Sequence, residues 1–153
     1  MEWGPRALGS RSILASPLHA SINTSINERL NRSDFMPFAP MVLDEDMPTV
    51  FTDYNIGDST KKYMTSTYAV NPEIAPRIPA VVHCDMTARP QSITQDSTLI
   101  YALLKHLKRI TGFGVCINTS FNFHEDPIVE SPFDALRALK HNAIDVLLLE
   151  DVL

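Results

Sequence analysis

The chain contains 153 residues, of which 44% are hydrophobic and 20% are charged. This length and composition predict one folded domain with a sizeable core and argue against intrinsic disorder. The net charge of −5 argues against broad attraction to nucleic acid or to an anionic membrane, so a phosphate site would have to be a focused pocket. No signal peptide and no apolar run of membrane-spanning length is visible, and we therefore expect a cytoplasmic protein.

The first third of the chain predicts a strand, a helix and a second strand. The first strand is short and covers Ser12–Ala15. The helix is predicted over residues 20–32, because apolar residues recur there every four positions on one face. A stiff apolar connector with two prolines then leads to a strand around residues 41–43.

The middle of the chain has weaker signals. Residues 44–62 are acidic, contain proline, and are the least structured part by composition. Alternation and aromatic content predict a strand over residues 63–70 and another over 79–84. The chain around residues 89–94 is expected to pair with the second of these.

The last third contains the clearest helix, over residues 96–110, which carries one apolar stripe and ends at Gly112. A buried strand is predicted over 115–117. Ser131, followed by proline, is typical of a helix start. Residues 145–149 are predicted to close the chain as a buried strand. Strands that alternate with helices predict an α/β fold with a mixed sheet.

Cysteine and histidine chemistry is not indicated by these patterns. Cys84 and Cys116 lie in strand-like apolar segments, so we interpret both as buried free thiols. The five histidines have no metal-ligand spacing, and no tightly bound metal is expected. No Gly-x-Ser-x-Gly elbow and no glycine-rich loop ending in Lys-Ser/Thr is present, which argues against nucleophilic catalysis and a P-loop.

Arginines in three places could bind an anion. Arg6 and Arg11 lie in a segment stiffened by glycine and proline, where the alternative is a surface turn with solvated side chains. Arg29 and Arg32 end the first predicted helix, where they could instead complement its dipole. Arg89 lies between two apolar stretches, where an unpaired charge would be costly.

A fourth candidate is the polar run over residues 118–122, which follows the strand at 115–117. Ligands in open α/β sheets commonly bind at the carboxyl ends of strands. Ser120 and Asn122 alternate, so both can face one ligand while Phe121 packs the other way. The alternative is an ordinary turn rich in serine and asparagine.

Four segments, taken together and in order, resemble the C-terminal domain of O-carbamoyltransferases, a family that includes nodulation-type and antibiotic-tailoring enzymes. They are MEWGPRALGSRSILA at 1–15, FMPFAP at 35–40, IPAVVHCDMTARPQ at 78–91 and INTSFN at 117–122. The resemblance covers nearly the whole chain. It implies a YrdC-like α/β domain, which is a twisted mixed sheet with helices packed against it.

The resemblance also implies a reaction. Carbamoyl phosphate and ATP, with Mg²⁺, would give carbamoyl-adenylate with loss of pyrophosphate, and a preceding domain would pass the carbamoyl group to an acceptor hydroxyl. Several cationic groups are needed to hold two polyanions together. The residues implied are Arg6, Arg11 and Arg32 as catalytic groups, and Thr87, Arg89, Asn118, Ser120 and Asn122 as substrate- or nucleotide-binding groups.

The chain departs from the family pattern in several ways. A family lysine beside Arg32 is missing, and Lys61 or Lys62 is a candidate replacement. Residues 125–129 read Glu-Asp-Pro-Ile-Val where the family has Gly-Glu-Pro-Ile-Val. The acceptor domain is absent, and the family pattern expects a strand before the first motif. We therefore expect residues 1–153 to be an N-terminally truncated domain that lacks its first strand.

Two other functions stay open at this point. A YrdC-type threonylcarbamoyl-adenylate synthase shares fold and chemistry, although the acidic charge and the first motif argue against it. A truncated remnant that binds a nucleotide or a partner without turnover is the alternative outside catalysis. The expected partners are ATP, carbamoyl phosphate and the acceptor domain, with neither nucleic acid nor membrane.

Overall fold

The computed structural model describes residues 10–32, 38–55 and 57–149. In chain order the elements are the strand β1 (Ser12–Ala15), the helix α1 (Ser21–Arg29), the strand β2 (Ala39–Leu43), the short helix α2 (Met47–Val50), the strands β3 (Tyr68–Ala69), β4 (Thr87–Ala88) and β5 (Gln91–Ile93), the helix α3 (Thr98–Thr111), the strand β6 (Val115–Ser120) and the helix α4 (Pro132–Lys140). The predicted α/β class with a mixed sheet is confirmed.

The main sheet has four strands in the order β1-β6-β2-β5. The strand β6 is antiparallel to both of its neighbours, with Ser120 opposite Ser12 and Asn118 opposite Ala39. The strand β5 is parallel to β2, with Gln91 opposite Met41. The strands β1, β2 and β5 therefore run in one direction and β6 runs in the other.

Apolar side chains cover both faces of this sheet. On one face, Cys116 of β6 packs with Ile100 and Leu104 of α3. On the other face, Val115 and Ile117 join a larger cluster that includes residues of α1 and α4. Neighbouring residues of β6 thus enter different clusters, as the alternation of a strand requires.

The strongest local signals in the sequence are confirmed. Helix α3 ends at Gly112, which adopts a left-handed φ of +92° that glycine tolerates without a steric penalty. Helix α4 begins with a capping box, in which the Ser131 hydroxyl and the Asp134 carboxylate each accept from the other's backbone N–H. The strand predicted at 115–117 continues to Ser120.

Two predicted strands are wrong. Residues 79–84 contain a 3-10 turn over Pro79–Val81, in which Ala80 and Val81 are buried without joining a sheet. A buried turn and a buried strand have the same apolar composition, and Pro79 cannot donate a ladder hydrogen bond. The residues that follow do not pair with this segment, because β5 pairs with β2 instead. Of the strand predicted at 145–149, residues 145–148 lie outside any strand, with Val146 63% exposed, and Leu149 alone forms a β-bridge.

Two further expectations need correction. The strand predicted at 63–70 shrinks to Tyr68–Ala69, because residues up to Tyr63 form a 3-10 turn and Met64 has a positive φ of 53°. The segment 44–62 is more ordered than its composition suggests. It contains α2 and two 3-10 turns, Asp44–Asp46 and Ser59–Tyr63.

The two cysteines differ. Cys116 is buried, as predicted, and burial raises its pKa to about 12. Cys84 is exposed, which corrects the prediction of two buried thiols, because its segment forms a turn rather than a strand. None of the helices in the described ranges is long and apolar enough to span a membrane.

Candidate functional site

The sheet topology brings the predicted clusters to one edge. Arg11 comes directly before β1, Arg32 lies upstream of β2 and Arg89 lies two residues before β5. These three strands run in the same direction, so their amino ends share an edge, and the carboxyl end of the opposed β6 lies there too. We call this the arginine edge, defined by Arg11, Arg32, Arg89 and residues 118–122. The expectation that binding residues follow the carboxyl ends of strands therefore holds for β6, whereas the three arginines lie at the amino ends of β1, β2 and β5.

Arg32 is the central side chain of the edge, and it is 8% exposed. Its Nη1 donates to Thr119 Oγ1 at 2.9 Å. Its Nη2 lies 2.9 Å from Ser120 Oγ and 3.0 Å from Asn122 Oδ1, and also donates to the backbone oxygens of both residues. The guanidinium therefore holds the end of β6 in a fixed conformation.

Ser120 and Asn122 are brought together as the alternation predicted. Both side chains meet the same guanidinium nitrogen, whereas Phe121 between them is 7% exposed and belongs to the hydrophobic core. Asn122 Nδ2 donates to the backbone oxygens of Phe123 and Asp126. Asn122 thus connects Arg32 to the loop that follows β6.

Arg11 lies across the β1–β6 pair from this centre. Its backbone oxygen accepts from Phe121 N at 3.2 Å, and its Nη1 donates to Val129 O at 3.2 Å. Ser12, its neighbour, stands opposite Ser120. The Ser12 hydroxyl oxygen is buried and has no hydrogen-bond partner within the described part of the chain. Sequence reasoning missed Ser12, although its position one residue after Arg11 was a usable signal.

Asn118 is buried and paired within the protein. Its Nδ2 donates to Gln91 Oε1 at 2.8 Å across β2. Gln91 is 3% exposed and was also missed, although it lies two residues after Arg89 in the same motif. This hydrogen bond between two buried amides fixes the spacing of β5 and β6 at the arginine edge.

Other predicted residues lie further from this centre. Arg89 lies between the buried residues Ala88 and Pro90, but its own side chain is exposed and donates to Met64 O at 3.4 Å, so the cost of a buried unpaired charge does not arise. The hydroxyl of Thr87, the first residue of β4, donates to Asp85 Oδ1 in the preceding turn at 2.7 Å. His83 is half-buried and is 3.4 Å from the Thr87 hydroxyl through Nδ1. Arg6 lies outside the described residues.

The two candidate lysines differ in their surroundings. Lys61 is 6% exposed, and its Nζ lies 2.8 Å from Asp44 Oδ1 and donates to the Tyr54 hydroxyl. Burial is the largest single effect on the pKa of Lys61, and it lowers that pKa. The hydrogen bonds and charge interactions with Asp44 and Tyr54 together outweigh burial and raise the pKa of Lys61 above its ordinary value. Asp44 follows the carboxyl end of β2, whereas Arg32 precedes its amino end. Lys61 therefore pairs at the opposite edge of the sheet, and Lys62 is exposed.

Arg29, the other arginine near the end of α1, has a structural role. It makes a bidentate ion pair with Asp145 at 2.9 and 3.1 Å, and its Nε donates to Asn142 O. The guanidinium lowers the pKa of Asp145 through this hydrogen-bonded pair. Arg29 thus holds the segment after α4 against α1.

Two cavities open beside the arginine edge. The loop cavity has a volume of about 270 Å³ and is lined by residues 121–123, 126–130, Leu30, Asp134, Arg137 and Ala138. The β1 groove, of about 920 Å³, is lined by β1 with the residues before it, part of α3 and residues 143–149. Phe121, Val129 and Glu130 line both. Arg11 lines the groove and Asn122 lines the loop cavity, so the described residues form no single cavity that both side chains line.

Within the described ranges, no group of three or more histidine, cysteine, aspartate and glutamate side chains could hold a metal ion.

Comparison with known proteins adds a family and several relatives. The family described as "Carbamoyltransferase C-terminus" matches residues 1–153. An uncharacterized protein of Methanocaldococcus jannaschii is 40% identical over 155 residues, which cover 100% of this chain and 25% of that protein. Nodulation protein NolNO of Sinorhizobium fredii is 36% identical over 150 residues, which cover 95% of this chain and 22% of that protein. Nodulation protein U of Rhizobium tropici is 38% identical over 124 residues, which cover 80% of this chain and 21% of that protein. The chain thus spans a quarter or less of the length of these relatives.

Proposed function

Because the chain belongs to the family of carbamoyltransferase C-terminal regions, we propose that it forms carbamoyl-adenylate from carbamoyl phosphate and ATP within a larger carbamoyltransferase. The observation that carries the proposal is the arginine edge. Three arginines precede three strands that run in the same direction, and two of them, Arg11 and Arg32, contact the polar run at the end of β6 in a chain whose net charge is −5. Such a local concentration of guanidinium groups suits two polyanionic substrates.

The proposed reaction has two steps, each of which forms one bond and breaks one, and it consumes one water molecule. Water cleaves carbamoyl phosphate, so that phosphate leaves and carbamate remains. A carbamate oxygen then attacks the α-phosphorus of ATP, the bond to the bridging oxygen of the β-phosphate breaks, and pyrophosphate leaves. No protein nucleophile is needed, because positioning and charge neutralisation supply most of the catalysis in such transfers.

The residues of the edge divide into two roles in this proposal. Arg11 and Arg89 bind phosphate oxygens, because Arg89 is exposed and Arg11 opens on the β1 groove beside the Ser12 hydroxyl, which has no hydrogen-bond partner among the described residues. Arg32 is a positioning residue, because its guanidinium already engages Thr119, Ser120 and Asn122. It orients these groups and adds a buried positive charge behind them, which attracts phosphate.

The proposal places acceptor chemistry elsewhere. The relatives are four or more times longer than this chain, which leaves room in such proteins for a domain that binds the acceptor hydroxyl. Mg²⁺ enters the proposal only as the ion carried by the phosphates of ATP. The carbamoyl group would then move from the adenylate to the acceptor in that second domain.

Product analysis with the natural, full-length protein tests the proposal. The protein is incubated with ATP labelled at the α-phosphate and with carbamoyl phosphate, but with no acceptor. We expect pyrophosphate and a labelled AMP-linked product, and neither when carbamoyl phosphate is omitted. Formation of ADP would indicate transfer of the γ-phosphate and contradict adenylation. No turnover despite ATP binding would instead favour a binding module.

A further inference from the structure

We infer that Gln91 is a positioning residue, whose side-chain hydrogen bond to Asn118 sets the place of Arg89 at the arginine edge. This inference rests on the proposed function, in which Arg89 binds phosphate oxygens, and deepens it by naming a buried group that controls this binding. The sequence did not indicate Gln91, and the family resemblance implied direct substrate binding for Asn118.

Gln91 and Asn118 lie on the face of the sheet that helix α3 covers. Gln91 comes two residues before Ile93 in β5, and Ile93 belongs to the apolar cluster under α3. Asn118 comes two residues after Cys116 in β6, which belongs to the same cluster. Side chains two residues apart on a strand share a face. The two amides, which are 3% and 7% exposed, therefore continue this cluster towards the arginine edge.

The hydrogen bond between these amides spans a whole strand. The strand β2 lies between β5 and β6. Neighbouring strands are about 4.8 Å apart, so the backbones that carry the two amides are separated by about 10 Å. Ala39, the residue of β2 opposite Asn118, contributes only a methyl group to this face. The long side chain of Gln91 can therefore cross β2, and its Oε1 accepts from Asn118 Nδ2 at 2.8 Å.

Stability alone does not require a polar pair at this place. Replacing both partners of a buried hydrogen bond with apolar groups of the same shape can be nearly neutral. An amide hydrogen bond is directional, however, so it fixes one distance and one orientation where packed methyl groups allow several. The pair thus holds β5, an edge strand of three residues, in one place relative to β6.

Pro90 transmits the position of Gln91 to Arg89. The proline ring fixes φ at Pro90 and restricts the preceding residue, Arg89, to extended backbone. On its other side, Arg89 follows β4, a strand of the separate two-stranded sheet. The bond from Gln91 ties this junction to β6, in which Ser120 lies two residues beyond Asn118 towards the same edge. The amide pair therefore sets the position of Arg89 relative to the polar end of β6.

Calorimetric binding of ATP to the full-length protein, arranged as a double-mutant cycle, tests the inference. The first change combines Gln91→Met with Asn118→Leu, so that both amides become apolar side chains of similar size. The second change is Arg89→Ala. Gln91→Met alone serves if the combined variant does not fold, because it removes the acceptor and keeps the length of the side chain. Ser92→Ala is the matched control, since it removes a buried hydroxyl from the next position of β5, and this hydroxyl has no hydrogen-bond partner among the described residues.

We expect the amide change to raise the ATP dissociation constant at least fivefold when Arg89 is present and less than twofold in Arg89→Ala. Ser92→Ala should leave the constant unchanged. An effect of equal size in both backgrounds would mean that the amides act on the ligand without Arg89, and it would overturn the inference. An unchanged constant when Arg89 is present would also overturn it, as would wild-type affinity in Arg89→Ala.

Failure of the proposed function is a separate result. The cycle would then show the expected dependence on Arg89, but the full-length protein would release no pyrophosphate from ATP and carbamoyl phosphate.

Discussion

Arg32 Nη2 lies 2.9 Å from Ser120 Oγ, across 88 positions of sequence. Arg32 lies between α1 and β2, and Ser120 is the last residue of β6, so this contact joins two distant parts of the chain. It is possible because β6 runs antiparallel to β2, which places the carboxyl end of one strand beside the amino end of the other. The contact thus depends on the sheet order and builds the centre of the arginine edge.

Replacing Arg32 should affect both folding and activity. Arg32→Ala removes a buried guanidinium that donates to five oxygen atoms of Thr119, Ser120 and Asn122. We expect the free energy of unfolding to fall by about 2–4 kcal/mol in a denaturant titration, since hydrogen bonds to charged groups contribute about 1.5–3 kcal/mol each and are not additive. Release of pyrophosphate should also fall, even under conditions in which the Arg32→Ala variant is folded.

Arg29→Ala is the matched control for this prediction. It removes an arginine side chain three residues earlier, where the ion pair with Asp145 is partly exposed, with Asp145 84% exposed and Arg29 29% exposed. Such pairs contribute about 0–1 kcal/mol, and pyrophosphate release should be unchanged. Equal losses of activity in the two folded variants would mean that Arg32 has no special role.

Gly114 should not tolerate a side chain. A Cβ atom at this position would lie 2.3 Å from Leu43 Cδ1 and 3.1 Å from Leu104 O. The backbone cannot move away easily, because Gly114 N donates to Asp46 Oδ2 and Gly114 O accepts from Leu43 N. We expect Gly114→Ala to lower the free energy of unfolding by about 1–3 kcal/mol, the usual cost of overpacking.

Gly57→Ala provides the comparison for Gly114. A Cβ atom there would meet Asn55 Oδ1 at 3.6 Å, which is ordinary contact. Thermal denaturation should show a much smaller change than for Gly114→Ala. A melting temperature of Gly114→Ala equal to that of the wild type would show that Leu43 and Leu104 can move aside.

The sequence predicted the elements with strong local signals, and the structure shows why others failed. The Ser131 cap and the left-handed Gly112 act within one turn of chain, so both helix ends were predictable. The turn at Pro79–Val81 was mistaken for a strand, because burial alone explains its apolar residues. Alternation along β6 placed Ser120 and Asn122 together. Their contact with Arg32 depends on the order of the strands in the sheet, which a local sequence pattern cannot predict.

Stability at acidic pH should depend on Glu45. Hydrogen bonds from Lys108 and Lys105 lower the pKa of Glu45 below its ordinary value of 4.5. A lowered pKa in the folded state stabilises the fold above the unfolded-state pKa, and this contribution is lost as the pH falls through the folded-state pKa. Glu45→Gln should therefore cost at most about 1 kcal/mol at pH 7, because the pair is partly exposed.

The difference between wild type and Glu45→Gln should disappear as the pH is lowered from 5 towards 2. Denaturant titrations at several pH values measure it. Glu73→Gln is the control, because Glu73 is exposed and its carboxylate makes no ion pair within the described part of the chain. A difference that persists at the lowest pH would show that the carboxylate charge is not its cause.

The two thiols should react very differently with a thiol reagent. Cys84 is exposed, whereas Cys116 is buried and its pKa is raised to about 12. Only the thiolate is a strong nucleophile, so one equivalent should react in the native protein and a second after denaturation. Cys84→Ser should abolish the native reaction. A rapid native reaction that survives in Cys84→Ser would contradict the burial of β6 against α3.

Binding of ATP to the full-length protein, measured by calorimetry, tests the central claim about the arginine edge most directly. Arg11→Ala and Arg89→Ala should each weaken binding by about 1.5–3 kcal/mol, the contribution of a charged hydrogen-bonded contact. Arg77→Ala is the matched control, because Arg77 donates to Thr111 O just before the amino end of β6, at the opposite edge of the sheet. The account predicts weaker binding in the first two variants and unchanged binding in the control. Wild-type affinity in both Arg11→Ala and Arg89→Ala would contradict it.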